Sequence, residues 1–326
     1  MRNIAITLII PVYNGGKYLA QMLESVYNQT FKDFEIVIVN DGSNDNSEEI
    51  IFNYLEKHSN IKYLKQENKG QAEARNKALG QIRGKYTLFL DADDFIEFDM
   101  LEKMYNKSEI NFADIAICAY KKVYDFECKD REKIVFDSNE NRIYTNVEVM
   151  EMMLDGKVQG YLCNKMFLSK NILENEMHFE KGRIIEDLLP VFKLVSTAQR
   201  IIFINEPLYN YRQHLDSTLH KKIKTLIDDR YFACTEIYKY ARKNTDIKDS
   251  KCFLFMLKSQ IAFIYDALSL KVKCGKEFYK KYTIEDFSIY KILFDLNISF
   301  KHKIKFILFN IRVLHFYYKV KKALLE

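Results

Sequence analysis

Short apolar runs alternate with amphipathic stretches through the first third of the chain. Residues 4–12, 34–40, 61–65, 86–90 and 114–119 are rich in β-branched or aromatic side chains, the pattern of strands buried on both faces. Between them, residues 17–29, 47–57, 71–82 and 99–111 carry apolar positions at helical spacing, as in Leu19, Met22, Leu23 and Val26. Ser43, Asp45 and Ser47 are start signals for the second helix, with Glu48 and Glu49 in its first turn. Strand and helix in alternation predict β-α-β units: a mostly parallel, Rossmann-like α/β sheet flanked by helices. From about 120 to 219 the pattern loosens into mixed elements. Beyond 220, residues 224–242, 251–270 and 301–325 read as helices.

Glycine and proline support this division. Six of the ten glycines fall within the first 84 residues, and after Pro207 there is one glycine and no proline. The first region turns often and the last is mostly long helix. With 326 residues, 48% hydrophobic and 29% charged, the chain has the composition of a globular protein and not of a disordered or polytopic membrane one. The opening run has one basic residue and no small-residue cleavage site after it, so it reads as a strand and not a signal peptide. Six scattered cysteines without a C-x-x-C predict reduced, mostly buried thiols and a cytoplasmic location.

Net charge divides along the chain. Residues 1–219 hold 27 basic and 34 acidic side chains, and residues 220–326 hold 23 and 11. An acidic first region is no nucleic-acid surface. The expected domains are residues 1–219, with a nucleotide-binding half to about 112 and an acceptor half from about 113, and a helical, basic region over 220–326.

Polar residues gather where the predicted strands end, the place where open parallel sheets bind ligands. The four exits are Pro11-Val12-Tyr13-Asn14-Gly15-Gly16, Asn40-Asp41-Gly42-Ser43, Glu67-Asn68-Lys69-Gly70 and Asp91-Ala92-Asp93-Asp94. Three carboxylates within four residues repel one another unless a cation or hydrogen bonds offset them. Hard oxygen ligands suit Mg²⁺ or Mn²⁺ bridging substrate phosphates. A capped turn is the plainer reading of the same residues. Neither G-x-G-x-x-G nor G-x-x-x-x-G-K-[ST] is present, which argues against a Rossmann dinucleotide site and a P-loop. A metal-dependent phosphatase or nucleotidyltransferase is a weaker alternative, since Phe95 stands where aspartyl-phosphate phosphatases have Thr or Val.

The segments IIPVYNGGKYL (9–19), IVNDGSNDNS (38–47), ENKGQAEARNKAL (67–79) and GKYTLFLDADD (84–94) together resemble family-2 glycosyltransferases of the GT-A fold. YLCNKMFLSK (161–170), FEKGRIIEDLLPVFKL (179–194) and PLYNYRQHLDSTLH (207–220) are similar to later segments of that family, so the resemblance covers roughly residues 1–220. It implies a metal-dependent, inverting transferase that uses a nucleotide-sugar, usually a UDP-sugar, as donor. The sugar moved would be a hexose or N-acetylhexosamine. The acceptor would be a glycan or lipid-linked glycan in bacterial surface-polysaccharide assembly.

Roles carry over one residue at a time. Pro11, Tyr13, Asn14 and Asn68 would shape the nucleoside pocket, and Asp41 would accept a hydrogen bond from the base. Arg75 would face the nucleotide, Asp91 would hold the ribose or nearby groups, and Asp93 of the Asp-x-Asp pair would hold Mn²⁺ or Mg²⁺. Asp94 is divided between binding the donor sugar and capping the turn. Asp187 would be the general base, with Glu186 orienting it or taking its place. Arg212 and Ser217 look like phosphate contacts, His214 and His220 are nearby, and Asn164 and Lys165 would either lie near the acceptor or be buried polar groups with a structural role.

In the last helix, Ile304, Ile307, Leu308, Ile311, Leu314 and Tyr318 form an apolar stripe among lysines and arginine. Such a helix fits peripheral contact with an anionic membrane, here the inner face of the cell membrane. Packing on its own domain or on a second copy in a homo-oligomer reads equally from the pattern. The functional alternative outside catalysis is a nucleotide-sugar-binding scaffold.

Overall fold

The computed structural model describes residues 4–125, 132–214, 223–269, 276–282, 299–310 and 314. The chain resolves into two compact units, Met1–Ser217 and Thr218–Glu326.

The first unit opens with β1 (Ile6–Val12), α1 (Leu19–Tyr27), β2 (Phe34–Asp41), α2 (Ser47–Leu55), β3 (Ile61–Gln66), α3 (Gln71–Leu79) and β4 (Tyr86–Phe89). There follow β5 (Phe95–Ile96), α4 (Met100–Asn111), β6 (Ile115–Tyr124), β7 (Glu132–Ile134) and α5 (Asn146–Leu154). It closes with β8 (Lys165–Leu168), α6 (Ser169–Glu174), α7 (Leu188–Thr197) and β9 (Ile201–Gln213). One sheet runs in the order β3-β2-β1-β4-β8-β6-β9-β5, with β7 paired to β6.

The expected parallel arrangement holds across β3, β2, β1 and β4. Antiparallel pairs enter beyond β4: β8 pairs β4 and β6, while β9 runs parallel to β6 and antiparallel to β5. The sheet is therefore mixed in its second half. β1 and β2 are buried at every position, as strands covered on both faces must be. On one face Leu19, Met22, Leu23 and Val26 of α1 pack with Leu8, Ile10, Ile36 and Ile38. On the other, α3 lies against β1 and β2 through the small, buried Ala72, Ala74 and Ala78. β3 is an edge strand, and its exposed Lys62 and Lys65 discourage further pairing.

In the second unit, α8 (Ile223–Asn244) packs on α9 (Asp249–Ser269), with α10 (Lys276–Lys281) and α11 (Phe300–Asn310) following. Ile237, Tyr238 and Ala241 of α8 and Phe253, Met256 and Phe263 of α9 are buried. α11 packs on α9. Along the expected apolar stripe, Ile304 and Ile307 are exposed, Leu308 is half-buried and Leu314 is buried; Phe306, outside the stripe, is buried as well. The stripe read in the sequence is thus divided between exposed and buried positions, and Ile311 and Tyr318 lie outside the described residues. Among the described residues, no helix is long and apolar enough to cross a membrane. Cys118, Cys163, Cys234 and Cys252 are free and buried.

Candidate active site

The sheet brings the β1, β2, β3 and β4 exits to one edge, and their loops are laced together. Pro11 is buried in β1, Tyr13 is half-exposed, and Asn14 adopts the left-handed conformation at φ 48°. The Asn14 amide donates to Ser43 Oγ (3.1 Å), and its side-chain oxygen accepts from the Asn44 amide (2.8 Å). Asp41 is buried and accepts from the amides of Lys69 and Gly70 and from Gln66 Nε2, each at 2.8 Å. A carboxylate has about four acceptor positions, so Asp41 holds the β3–α3 loop and keeps room for one further donor. Gly42 sits at φ +71°, and a Cβ there would stand 2.8 Å from the Asn68 amide nitrogen. That close approach sets exposed Asn68 beside Asp41.

The Asp-Ala-Asp-Asp turn divides its carboxylates among three tasks. Asp94 is wholly buried; it accepts from the Tyr209 hydroxyl and from the Arg212 amide (2.7 Å). Burial and the charges of Asp93 and Asp91 push its carboxyl well above the usual carboxylate range. Asp94 therefore fastens the turn to β9. Asp93 is the open one, with 40% of its side chain exposed and Oδ2 2.9 Å from His214 Nε2. Asp91 accepts from Arg75 (2.8 Å) and from Gln71 Nε2 (3.0 Å).

Arg75 is the centre of the arrangement. Its side chain is 5% exposed, pairs with Asp91 on one side and Glu186 on the other, and lies 5.7 Å from the Phe179 ring centroid. The cation expected to face the nucleotide thus links the donor-side turn to Glu186. Asp187 occupies the N-cap position of α7 but makes no side-chain capping hydrogen bond. Burial is the main influence raising Glu186 to about 7 and Asp187 to about 6, against the lowering effect of Arg75. Lys165 is fully buried, and burial lowers its ammonium to about 8.

The residues around Asp93 fit a hard cation. The Asp93 carboxylate is open to solvent, an imidazole nitrogen stands beside it, and His214 Nδ1 is buried without a hydrogen-bond partner among the described residues. Another cluster, Asp91, Asp94 and Cys163, brings its ligand atoms within 4.8 Å of one another. It suits a hard cation less well, because both Asp94 oxygens already accept hydrogen bonds and burial keeps the Cys163 thiol protonated.

Arg212, which the family resemblance implies as a phosphate contact, is held by protein groups through all three of its side-chain nitrogens. It is buried, with Nε on the Asp93 carbonyl (2.7 Å), one terminal nitrogen on Asp125 (2.7 Å) and the other on Gln21 (2.6 Å). Its guanidinium also lies 4.6 Å from the Tyr18 ring centroid, and the Tyr18 hydroxyl donates to Asp125 (2.6 Å). Tyr18, Gln21, Asp125 and Tyr209 escaped sequence reasoning. The available signal was the period of two in Asn210, Arg212 and His214, which marks one face of a strand. Ser217 and His220 lie outside the described residues.

Comparison with known proteins bears on this geometry. Residues 7–173 match the family model described as glycosyl transferase family 2. The glycosyltransferase GlyA of Streptococcus pneumoniae is 36% identical over 64% of this chain, which spans 30% of GlyA's length. GlyG of the same organism, also a glycosyltransferase, is 31% identical over 66% of this chain and 72% of its own. Among solved structures, S. aureus TarS residues 1–349 in complex with UDP superposes with a TM-score of 0.69 at 20% identity, covering 97% of this chain and 92% of that one. That likeness establishes the GT-A-type fold.

Proposed function

Since the chain belongs to glycosyl transferase family 2 and is a glycosyltransferase, we propose that it is an inverting, metal-dependent enzyme using a UDP-sugar donor. The acceptor is a hydroxyl of a glycan or lipid-linked glycan, in surface-polysaccharide assembly at the cytoplasmic face of a membrane. The observation that carries this reading is the Arg75 bridge. It holds Asp91, a donor-side residue, and Glu186, neighbour of the base, on one guanidinium.

In this reading Pro11, Tyr13, Asn14, Asp41 and Asn68 form the nucleoside pocket, and Asp93 with His214 holds Mn²⁺ or Mg²⁺. The cation, when bound, offsets the negative charge that develops on the departing diphosphate. Asp187 takes the proton of the acceptor hydroxyl as it attacks the anomeric carbon from the face opposite the diphosphate. Among the described residues, no side chain donates a hydrogen bond to Asp187, while Glu186 is held by Arg75. This favours Asp187 as the base and Glu186 as the group that positions it. The UDP preference draws on the TarS–UDP likeness in fold.

Calorimetric titration with UDP and GDP, with Mn²⁺ or EDTA, tests the donor site. UDP should bind with Mn²⁺, weaken in EDTA and weaken in Asp93→Ala. Selective GDP binding would overturn the donor, and binding of neither nucleotide would leave a scaffold as the better reading.

A further inference from the structure

The segment between α5 and β8 is tied down unusually well for a loop. Lys165 is wholly buried, and its ammonium donates to the carbonyls of Gln159 (2.8 Å) and Tyr161 (2.7 Å) and to Asn164 Oδ1 (2.9 Å). An ammonium has three donors, so all of them serve this one segment. Asn164 in turn donates to the Cys118 carbonyl of β6 (2.7 Å).

The two ends of the segment touch the two halves of the chemistry. At Gly160, a Cβ would crowd Leu188 Cδ1 and stand 3.1 Å from Leu188 Cα, so the absence of a side chain lets the chain lie close against the residue following Asp187. At Cys163, the sulfur lies within 4.8 Å of carboxylate oxygens of Asp91 and Asp94. Between them stands Tyr161, a large aromatic with 37% of its surface exposed. Its ring is oriented by Tyr211 (centroids 5.8 Å apart, tilted 37°) and Tyr120 (5.9 Å, edge-on at 78°).

We propose that the Tyr161 ring is the platform on which the acceptor sugar lies, with the Gln159–Lys165 brace as its support. A pyranose has a face of C–H groups, weakly positive, which packs on the negative face of an aromatic ring. Tyrosine suits the task because fixing its two torsions costs little entropy, and here neighbouring rings already restrict it. A sugar on this platform would lie beside the start of α7, because neighbouring Gly160 packs against Leu188, the residue after Asp187. The inference rests on the assignment of Asp187 as base in the proposed transfer reaction.

Saturation-transfer NMR of the full chain with UDP and Mg²⁺ tests it, using the methyl pyranosides of glucose, galactose and N-acetylglucosamine as probes. At least one glycoside should receive saturation from the wild type, the signal should fall about fivefold in Tyr161→Ala, and Tyr161→Phe should keep it. Undiminished saturation in Tyr161→Ala, equal loss in Tyr161→Phe, or no saturation of any probe by the wild type would overturn the proposal. Should Tyr161→Ala not fold, the absence of tryptophan from the chain supplies a second readout. The emission of Tyr161→Trp should then shift with the glycosides, and an unmoved spectrum counts against the platform. Failure of the donor reading shows separately, as absent UDP binding on the same sample, and leaves the glycoside result standing.

Discussion

Glu186 and Asp187 are chain neighbours with different commitments. Glu186 is held by a buried guanidinium, whereas Asp187 stands at a helix start without capping it. If Asp187 is the base, as proposed, its replacement by Asn removes the acceptor of the proton while keeping shape, so transfer should fall by about 10²–10⁴-fold. UDP affinity should stay within about twofold, since binding does not need that proton acceptor. The pH profile follows from the direction of the shift. Burial raises Asp187 to about 6, so below that pH the carboxyl carries a proton and cannot accept another. kcat/KM should therefore drop about tenfold per pH unit below 6 and level off above it. Arg75 allows a stability test of the bridge. Arg75→Met leaves Glu186 buried and unpaired, which should cost about 3–5 kcal/mol in urea denaturation. Adding Glu186→Gln removes the stranded charge, so the double variant should recover part of that loss.

At the scale of elements, β9 decides how the Asp-Ala-Asp-Asp turn works. β5 follows that turn directly and pairs with β9, Phe95 opposite Asn210, which brings His214 to Asp93 and Tyr209 to Asp94. Tyr209→Phe leaves a buried Asp94 oxygen without its donor and should cost about 1–3 kcal/mol. If β9 sets the metal-binding turn, calorimetry should also show UDP affinity falling in Mn²⁺ but not in EDTA. This division marks what the sequence could disclose. The strands β1, β2 and β4 were legible because parallel strands covered on both faces are unbroken apolar runs, as Ile6–Val12 is. The strand exits were legible because ligand sites of open sheets gather there. The side-chain pairings were not legible, because Arg75–Glu186 and Asp93–His214 join residues 111 and 121 positions apart, and no spacing rule encodes such contacts. Arg212 illustrates the limit. The family resemblance implies a phosphate contact there, and its partners Asp125, Gln21 and the Asp93 carbonyl, far away in the chain, could not be read from the sequence.

Across the whole molecule, charge is divided in a way that suits both proposed ligands. Residues 1–219 carry a net −7 and residues 220–326 a net +12, from 27 basic and 34 acidic groups against 23 and 11. An anionic diphosphate approaching the acidic region is repelled unless a divalent cation accompanies it, which accords with a metal-dependent donor site. The basic region has the opposite preference. A lysine or arginine near an anionic bilayer contributes about 1 kcal/mol, so an excess of cations can hold a protein there without a spanning helix. Exposed Ile304 and Ile307 on α11 add an apolar contact beside Lys301, Lys303 and Lys305. The full chain should then co-sediment with phosphatidylglycerol vesicles at low salt and stay in the supernatant with phosphatidylcholine. Because the Debye length shrinks to about 3 Å near 1 M salt, adding sodium chloride should release it. Binding that ignores salt, or that does not distinguish the two lipids, would assign the basic surface to a protein partner or a second copy of the chain. Charge reversal of Lys301, Lys303 and Lys305 to Glu should abolish sedimentation while UDP binding at the acidic unit persists, separating attachment from catalysis.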